Sequence, residues 1–239
     1  MNKSKASPSV SSPIIGTLNE GSLHASLKQF FAQPGDEFEV PINGYVIDIV
    51  RKKREKKTLV EIQTASFSSM KKKLVNLLQE FPIRIIYPVA LEVLLVKPDK
   101  KSRKSPKKGD VFSIFEELVS IPEFISDPNL SFDVVYVSVT KIQKYDPSMR
   151  RNRGGYRTVN TELSEIHSIQ NFQGIADFLN LLPEGLPKVF TTSDLATIGN
   201  IPRQKAQQIA YCFRKAGVFL ELSHTKQGKH YKIINSEEY

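Results

Sequence analysis

The chain predicts an α/β fold with a smaller helical unit at its C-terminal end, and three observations carry that prediction. Two helix-period segments enclose two Val- and Ile-rich runs joined by the charged hairpin RKKREKK at 51–57. Short buried strands follow the second helix. From Phe172 onward the pattern changes to short helices closed by a hairpin. At 239 residues, 40% of them hydrophobic, the chain can build a large interior.

Residues 1–13, rich in Ser and Pro, read as a disordered tail with no apolar core of a secretory signal, so the expected location is cytoplasmic. A first helix is expected from Asn19 as N-cap, with Leu23, Leu27, Phe30 and Phe31 on one face and Pro34 and Gly35 ending it. Residues 39–50 and 58–64 read as two strands, and 66–80 as a helix with Phe67, Met70, Leu74, Leu77 and Leu78 at helical spacing. Residues 83–87 and 91–96 read as short strands, 98–110 as a basic insertion, and 111–121 as a helix. The run SFDVVYVSVTKI is expected to add an edge strand. These elements make one domain over 14–149, followed by an Arg-rich linker over 150–170.

In the C-terminal unit, 171–239, helices are expected at 172–182, 192–198 and 202–216, then strands at 218–222 and 231–234. The third helix turns Ala206, Ile209, Ala210 and Phe213 inward and leaves Arg203, Gln204, Lys205, Gln207, Gln208 and Arg214 largely outside. Helix, turn, helix and hairpin in that order resemble a winged helix-turn-helix domain. That resemblance implies base-edge contacts from Arg203, Gln204, Gln207 and Gln208 and phosphate contacts from Lys226, Lys229 and His230 on the wing. Winged helices also serve as dimerisation modules.

The lone Cys212 rules out an internal disulfide and reads as a small buried hydrophobe; with four histidines, no Cys/His zinc spacing exists. No apolar run approaches the about 20 residues of a membrane-spanning helix. Lys and Arg number 34 against 25 Asp and Glu, and more than half of the basic residues fall in 51–57, 71–73, 97–108 and 150–157. Clustered positive charge favours a polyanionic partner, although any one run also fits a solvated loop. The Arg150, Arg151, Arg153 and Arg157 loop, with two glycines and Tyr156, suits a clamp on duplex DNA or a solvated tether.

The chemistry centres on Asp48 and Glu61. A turn between Arg54 and Glu55 pairs residues whose numbers sum to 109, which sets Asp48 opposite Glu61. Opposed carboxylates with apolar neighbours repel and lose hydration, which a hard divalent cation relieves. Two plainer readings stay open: both acids solvated at a sheet edge, or neutralised by nearby lysines. His24, one turn past Glu20, suits a ligand, a general base or a simple hydrogen-bonded helical histidine.

This arrangement resembles the PD-(D/E)XK, or restriction-endonuclease-like, superfamily, whose αβββαβ core carries an acid on the second strand, Glu-x-Lys on the third and often a Glu on the first helix. Asp48 matches the first acid, Glu61 the second, Gln63 the lysine position and Glu20 the helical Glu, over roughly residues 16–97. The resemblance implies hydrolysis of DNA phosphodiesters with Mg2+ or Mn2+ held by Asp48, Glu61 and Glu20, and Gln63 positioning the nucleophile. It implies double-stranded DNA as substrate and suggests a homodimer. Gln63 departs from the pattern because glutamine carries no charge. Lys28, Lys71 and Lys72 are candidates both to replace the missing lysine and to contact DNA. The rival expectation is a catalytically inactive, nuclease-like DNA-binding regulator. An RNA-processing nuclease is a third reading, without an RNA-recognition motif behind it. No P-loop, GxGxxG turn or nucleophile elbow is present.

Overall fold

A computed structural model describes residues 21–98, 100–149, 153–226 and 228–234. The expected tail at 1–13 and the expected N-cap Asn19 lie outside those residues. α1 (Ser22–Phe31) leads into β1 (Glu37–Ile42), β2 (Tyr45–Lys53) and β3 (Lys56–Ile62). A 3-10 turn at Phe67–Met70 then opens α2 (Lys71–Leu77). Next come β4 (Ile83–Lys97), β5 (Lys100–Lys104), α3 (Phe115–Leu118), β6 (Leu130–Tyr145) and β7 (Tyr156–Phe172). The C-terminal unit adds α4 (Ile175–Leu179), β8 (Phe190–Thr191), α5 (Thr192–Ile198), α6 (Arg203–Lys215), β9 (Phe219–Thr225) and β10 (Gly228–Ile233).

The main sheet has the order β1-β2-β3-β4-β6-β7, with β5 pairing β4. β1, β2 and β3 form an antiparallel meander, β4 lies parallel to β3 after the α2 crossover, β6 is parallel to β4, and β7 closes the sheet antiparallel. One face carries α1, whose Leu27 packs with Ile49, Val60, Ile62, Val135 and Val137 of the sheet. The other carries α2, α3 and the C-terminal unit over a larger core.

Several expectations need correction. Residues 39–50 are two strands, because Asn43 and Gly44, at φ 48° and 81°, make a two-residue hairpin turn. The helix expected at 66–80 is α only over Lys71–Leu77, and the two short strands at 83–96 are the single β4. The insertion at 98–110 contains β5, while β6 is an interior strand between β4 and β7, not an edge. The linker expected at 150–170 is largely β7, whose register with β6 runs from Tyr145↔Tyr156 to Phe132↔Phe172. The domain therefore extends past 149. The helix expected at 172–182 shrinks to α4, and β8 was not foreseen.

Two partly buried ion pairs fix α1. Arg51 donates to Asp36 and, at 2.7 Å, to the Phe31 carbonyl, placing its charge at the C-terminal end of the helix. Asp133, fully buried, accepts from Arg84 at 2.7 Å and Asn171 at 2.6 Å, and the Arg84 guanidinium lies over the Phe31 ring. Arg51, foreseen only as part of a basic run, is thus a structural residue.

In the C-terminal unit β8, β10 and β9 form a small sheet in that order, and Thr191 with Asp194 makes a reciprocal cap on α5. Its core is continuous with the main one. Phe178 contacts the rings of Phe115, Phe132 and Phe172, and Phe115 in turn meets Phe213 of α6. Phe178→Ala should lower stability by about 3–5 kcal/mol. Urea unfolding followed by circular dichroism is expected to show the sheet and the C-terminal unit lost in one transition at a lower midpoint.

Candidate active site

The turn after β2 sets the register Ile49↔Val60 and Val50↔Leu59, the one in which Asp48 and Glu61 come next. The ladder stops there, however. Asp48 and Glu61 are not a ladder pair, because β2 and β3 separate past Ile49 and Val60, and side chains take the backbone groups left over. Asp48 Oδ2 accepts from the Ile62 N–H at 2.8 Å, and Lys73 Nζ donates to the Val46 carbonyl at 3.0 Å. On the far side of β2 the β1 pairing also skips Asp48, opposite Glu39 at φ 52°. A non-glycine residue in that conformation marks local strain.

The two acids meet partners from opposite layers. His24 Nε2 of α1 lies 3.2 Å from Asp48 Oδ2, and Lys73 Nζ of α2 donates to both Glu61 oxygens at 2.9 Å. The expectation that both carboxylates share one sheet face is therefore corrected to two acids flanking an opening in the sheet. They still sense one another. Burial raises the Glu61 carboxyl, the opposing Lys73 charge does not offset it, and the Asp48 charge raises it further, to about 7. Burial also works against Asp48, but hydrogen bonds from His24 and the Ile62 N–H outweigh it and hold Asp48 below the usual carboxylate range.

Both hydrogen bonds to Asp48 use Oδ2, leaving Oδ1 to face other chemistry. The donors at the opening are carboxylate oxygens, which suit a hard cation. Among the described residues no three His, Cys, Asp or Glu side chains form a group able to hold a metal ion, and Glu20 lies outside them. Gln63 does not join the acids. Its amide nitrogen is held by the Ser66 carbonyl at 2.8 Å and Ser69 Oγ at 3.3 Å, within the turn that leads to α2.

Of the lysines considered, Lys28 pairs with Glu39, Lys71 pairs with Glu123 and Lys72 is exposed. The sequence reading missed Lys73. Its signal was its position, four residues before Leu77 and three after Met70, at the rim of the buried stripe of α2. A second polar pair, Ser138 Oγ at 2.7 Å from His167 Nε2, lies exposed on β6 and β7, where the register shifts and leaves His167 out of the ladder.

On the C-terminal unit, Arg203, Gln204 and Gln207 are exposed on α6 and Lys226 is exposed on the wing. Arg203, Gln207 and Lys229 line a groove of about 350 Å³ together with Arg214, expected on the outer face of the helix, and with Tyr211 and His224, which were not foreseen. Lys229 and Arg214 share Glu221 as partner. Lys205, expected outside, instead pairs with Asp110 and ties α6 to the main domain. Arg150 and Arg151 lie outside the described residues, and Arg153 opens the turn Arg153–Gly155. Tyr156, half-buried, has Lys97 Nζ 3.7 Å from its ring centroid and packs against Tyr145 in a T-shaped pair.

An α/β domain with a split mixed sheet and acids at the split is the class the geometry defines. Residues 21–173 match the family described as Domain of unknown function (DUF8091), and the chain belongs to that family. An uncharacterized protein of Treponema pallidum (strain Nichols) is 30% identical over 190 residues, covering 77% of this chain and 74% of its own. No solved structure matches. The family match ends one residue past β7, which agrees with a domain that includes that strand. No helix of the described residues is long and apolar enough to cross a membrane.

The raised Glu61 carboxyl has a definite sign for stability. Between the unfolded value near 4.5 and about 7 the folded chain binds the extra proton, so this group's contribution is full at low pH and is lost as pH rises through that window. Glu61→Gln should therefore flatten the fall in stability between pH 4.5 and 7 relative to wild type. Chemical unfolding at a series of pH values measures it; an unchanged slope would contradict the assignment.

Proposed function

We propose that the chain is a metal-dependent endonuclease that hydrolyses DNA phosphodiester bonds, delivered to DNA by its C-terminal winged-helix-like unit. The observation that carries this reading is the opening between β2 and β3, where two mostly buried acids that sense each other are flanked by a histidine and a lysine. Further support comes from the order helix, antiparallel meander, helix and parallel strand, which is the order of the PD-(D/E)XK core. The β8-β10-β9 sheet beside α5 and α6 has the arrangement of a winged helix, and the α6 groove presents Arg203, Gln207 and Lys229.

Asp48 and Glu61 would hold Mg2+ or Mn2+, which when bound supplies Lewis-acid activation of water and neutralises phosphate charge. The remaining work falls to this chain's residues. His24 holds Asp48 in place through Oδ2. Lys73 brings to the opening the positive charge that Gln63 lacks and offsets the charge that builds on the phosphate. Water oxygen adds to phosphorus, the ester oxygen leaves and takes up a proton, and one strand end keeps the phosphate while the other keeps a hydroxyl. Glu61 serves as a ligand only when deprotonated, so the rate should rise with pH through about 7 and then level.

A second reading, a nuclease-like DNA-binding regulator without catalysis, is favoured by one specific contact. Lys73 spans both Glu61 oxygens and so competes with a cation for them. The test incubates supercoiled and linear duplex DNA with Mg2+ or Mn2+. Wild type is expected to cut, with Asp48→Ala and Glu61→Ala slower by about 100-fold or more and Lys73→Met reduced comparably. Equal DNA binding by all four proteins with no cleavage by any would instead establish the regulator.

A further inference from the structure

On the α1 face of the sheet, at the N-terminal end of α1, a groove of about 340 Å³ runs along β4, β6 and β7. Its floor is apolar, built from Pro88, Ala90, Val137 and Val139. His24 forms one wall, and through its 3.2 Å contact with Asp48 the groove begins beside the opening between β2 and β3. The opposite rim, from β7, presents the polar side chains of Thr158, Asn160 and Thr161 beside the exposed Val159. Asn160 donates its amide nitrogen to Glu162 at 3.2 Å, which orients the side chain without using its oxygen.

An aliphatic floor beside hydrogen-bonding side chains suits the apolar faces and polar edge of a heterocyclic base better than a sugar-phosphate backbone, which asks for donors and positive charge. The volume lies at the lower end of small-molecule sites and suits one nucleotide unit. A base within intact duplex has both faces stacked and its edge paired, so it cannot enter without being taken out of the helix; an unpaired base enters without that cost.

We infer that this groove receives one unpaired base next to the scissile phosphate, and that the substrate class is DNA with a displaced or unpaired strand rather than continuous duplex. The inference rests on the nuclease reading above.

The test uses the full chain and duplex oligonucleotides carrying the fluorescent base 2-aminopurine, either paired or inside a short bubble. Binding is measured without divalent metal and cleavage with Mn2+. The bubble probe is expected to change fluorescence on saturation and the paired probe not to. Asn160→Ala should weaken bubble binding about five- to tenfold, and Ala90→Phe, which fills the floor, should abolish the signal. Melting curves confirm that both variants fold, and Asn160→Ala stands alone if Ala90→Phe does not. With metal, wild type is expected to cut the bubble at least tenfold faster than duplex, and Asn160→Ala to erase most of that preference. Equal signals from the two probes, or a bubble signal untouched by Asn160→Ala, would overturn the base site. Equal cutting of both substrates overturns it while leaving the nuclease reading standing. Selective bubble binding with no cutting overturns the nuclease reading and leaves the base site in place.

Discussion

The separation of β2 from β3 past the Ile49–Val60 pair is the constraint on which the site depends. Two neighbouring strands that part inside a packed sheet leave backbone groups without ladder partners, and each such group costs free energy unless something else satisfies it. Here Asp48 takes the Ile62 N–H and Lys73 takes the Val46 carbonyl. The same side chains are thereby fixed at the opening, so the structural need and the chemical arrangement have one cause. α1 reaches the opening because Arg51 and Arg84 hold its C-terminal turn from two directions. α2 reaches it because Leu74 and Leu77 are fully buried and leave Lys73 at the edge of their stripe.

Electrostatics then divide the two acids. Asp48 receives hydrogen bonds from both sides of the opening and stays ionised, while Glu61, more deeply buried, holds its proton to about 7 despite Lys73. Two neighbouring carboxylates pushed in opposite directions by burial and by their partners mark the opening as a candidate site. The exchange open to Glu61 is between Lys73 and a cation.

Much of this was legible in the sequence, and the parts that were not have physical reasons. The hairpin register was readable because a two-residue turn between Lys53 and Lys56 leaves no freedom of pairing. The parting of the strands was not, since it depends on which backbone groups find side-chain partners, one from β2 itself and one from α2. Asn43-Gly44 is a strong hairpin signal, yet strand-forming residues on both sides let 39–50 pass for one strand. β7 was hidden because an edge strand with a solvated face, TVNTELSEIHSIQ, is polar enough to resemble a linker after the arginine-rich loop. α5 and α6 were found because capping and apolar spacing agree there, whereas the burial of Lys205 against Asp110 is a long-range contact that no local pattern carries.

The central claim is that Asp48 and Glu61 together take a divalent cation at the opening. Calorimetric titration of Mn2+ into the full chain at pH 6.5, in two buffers of different ionisation heat, addresses it most directly. The account predicts saturable binding accompanied by proton release, as Glu61 gives up its proton and its hold on Lys73, and loss of that binding in Asp48→Asn and Glu61→Gln. Absence of binding by wild type, or binding with no proton release that both variants retain, would contradict it.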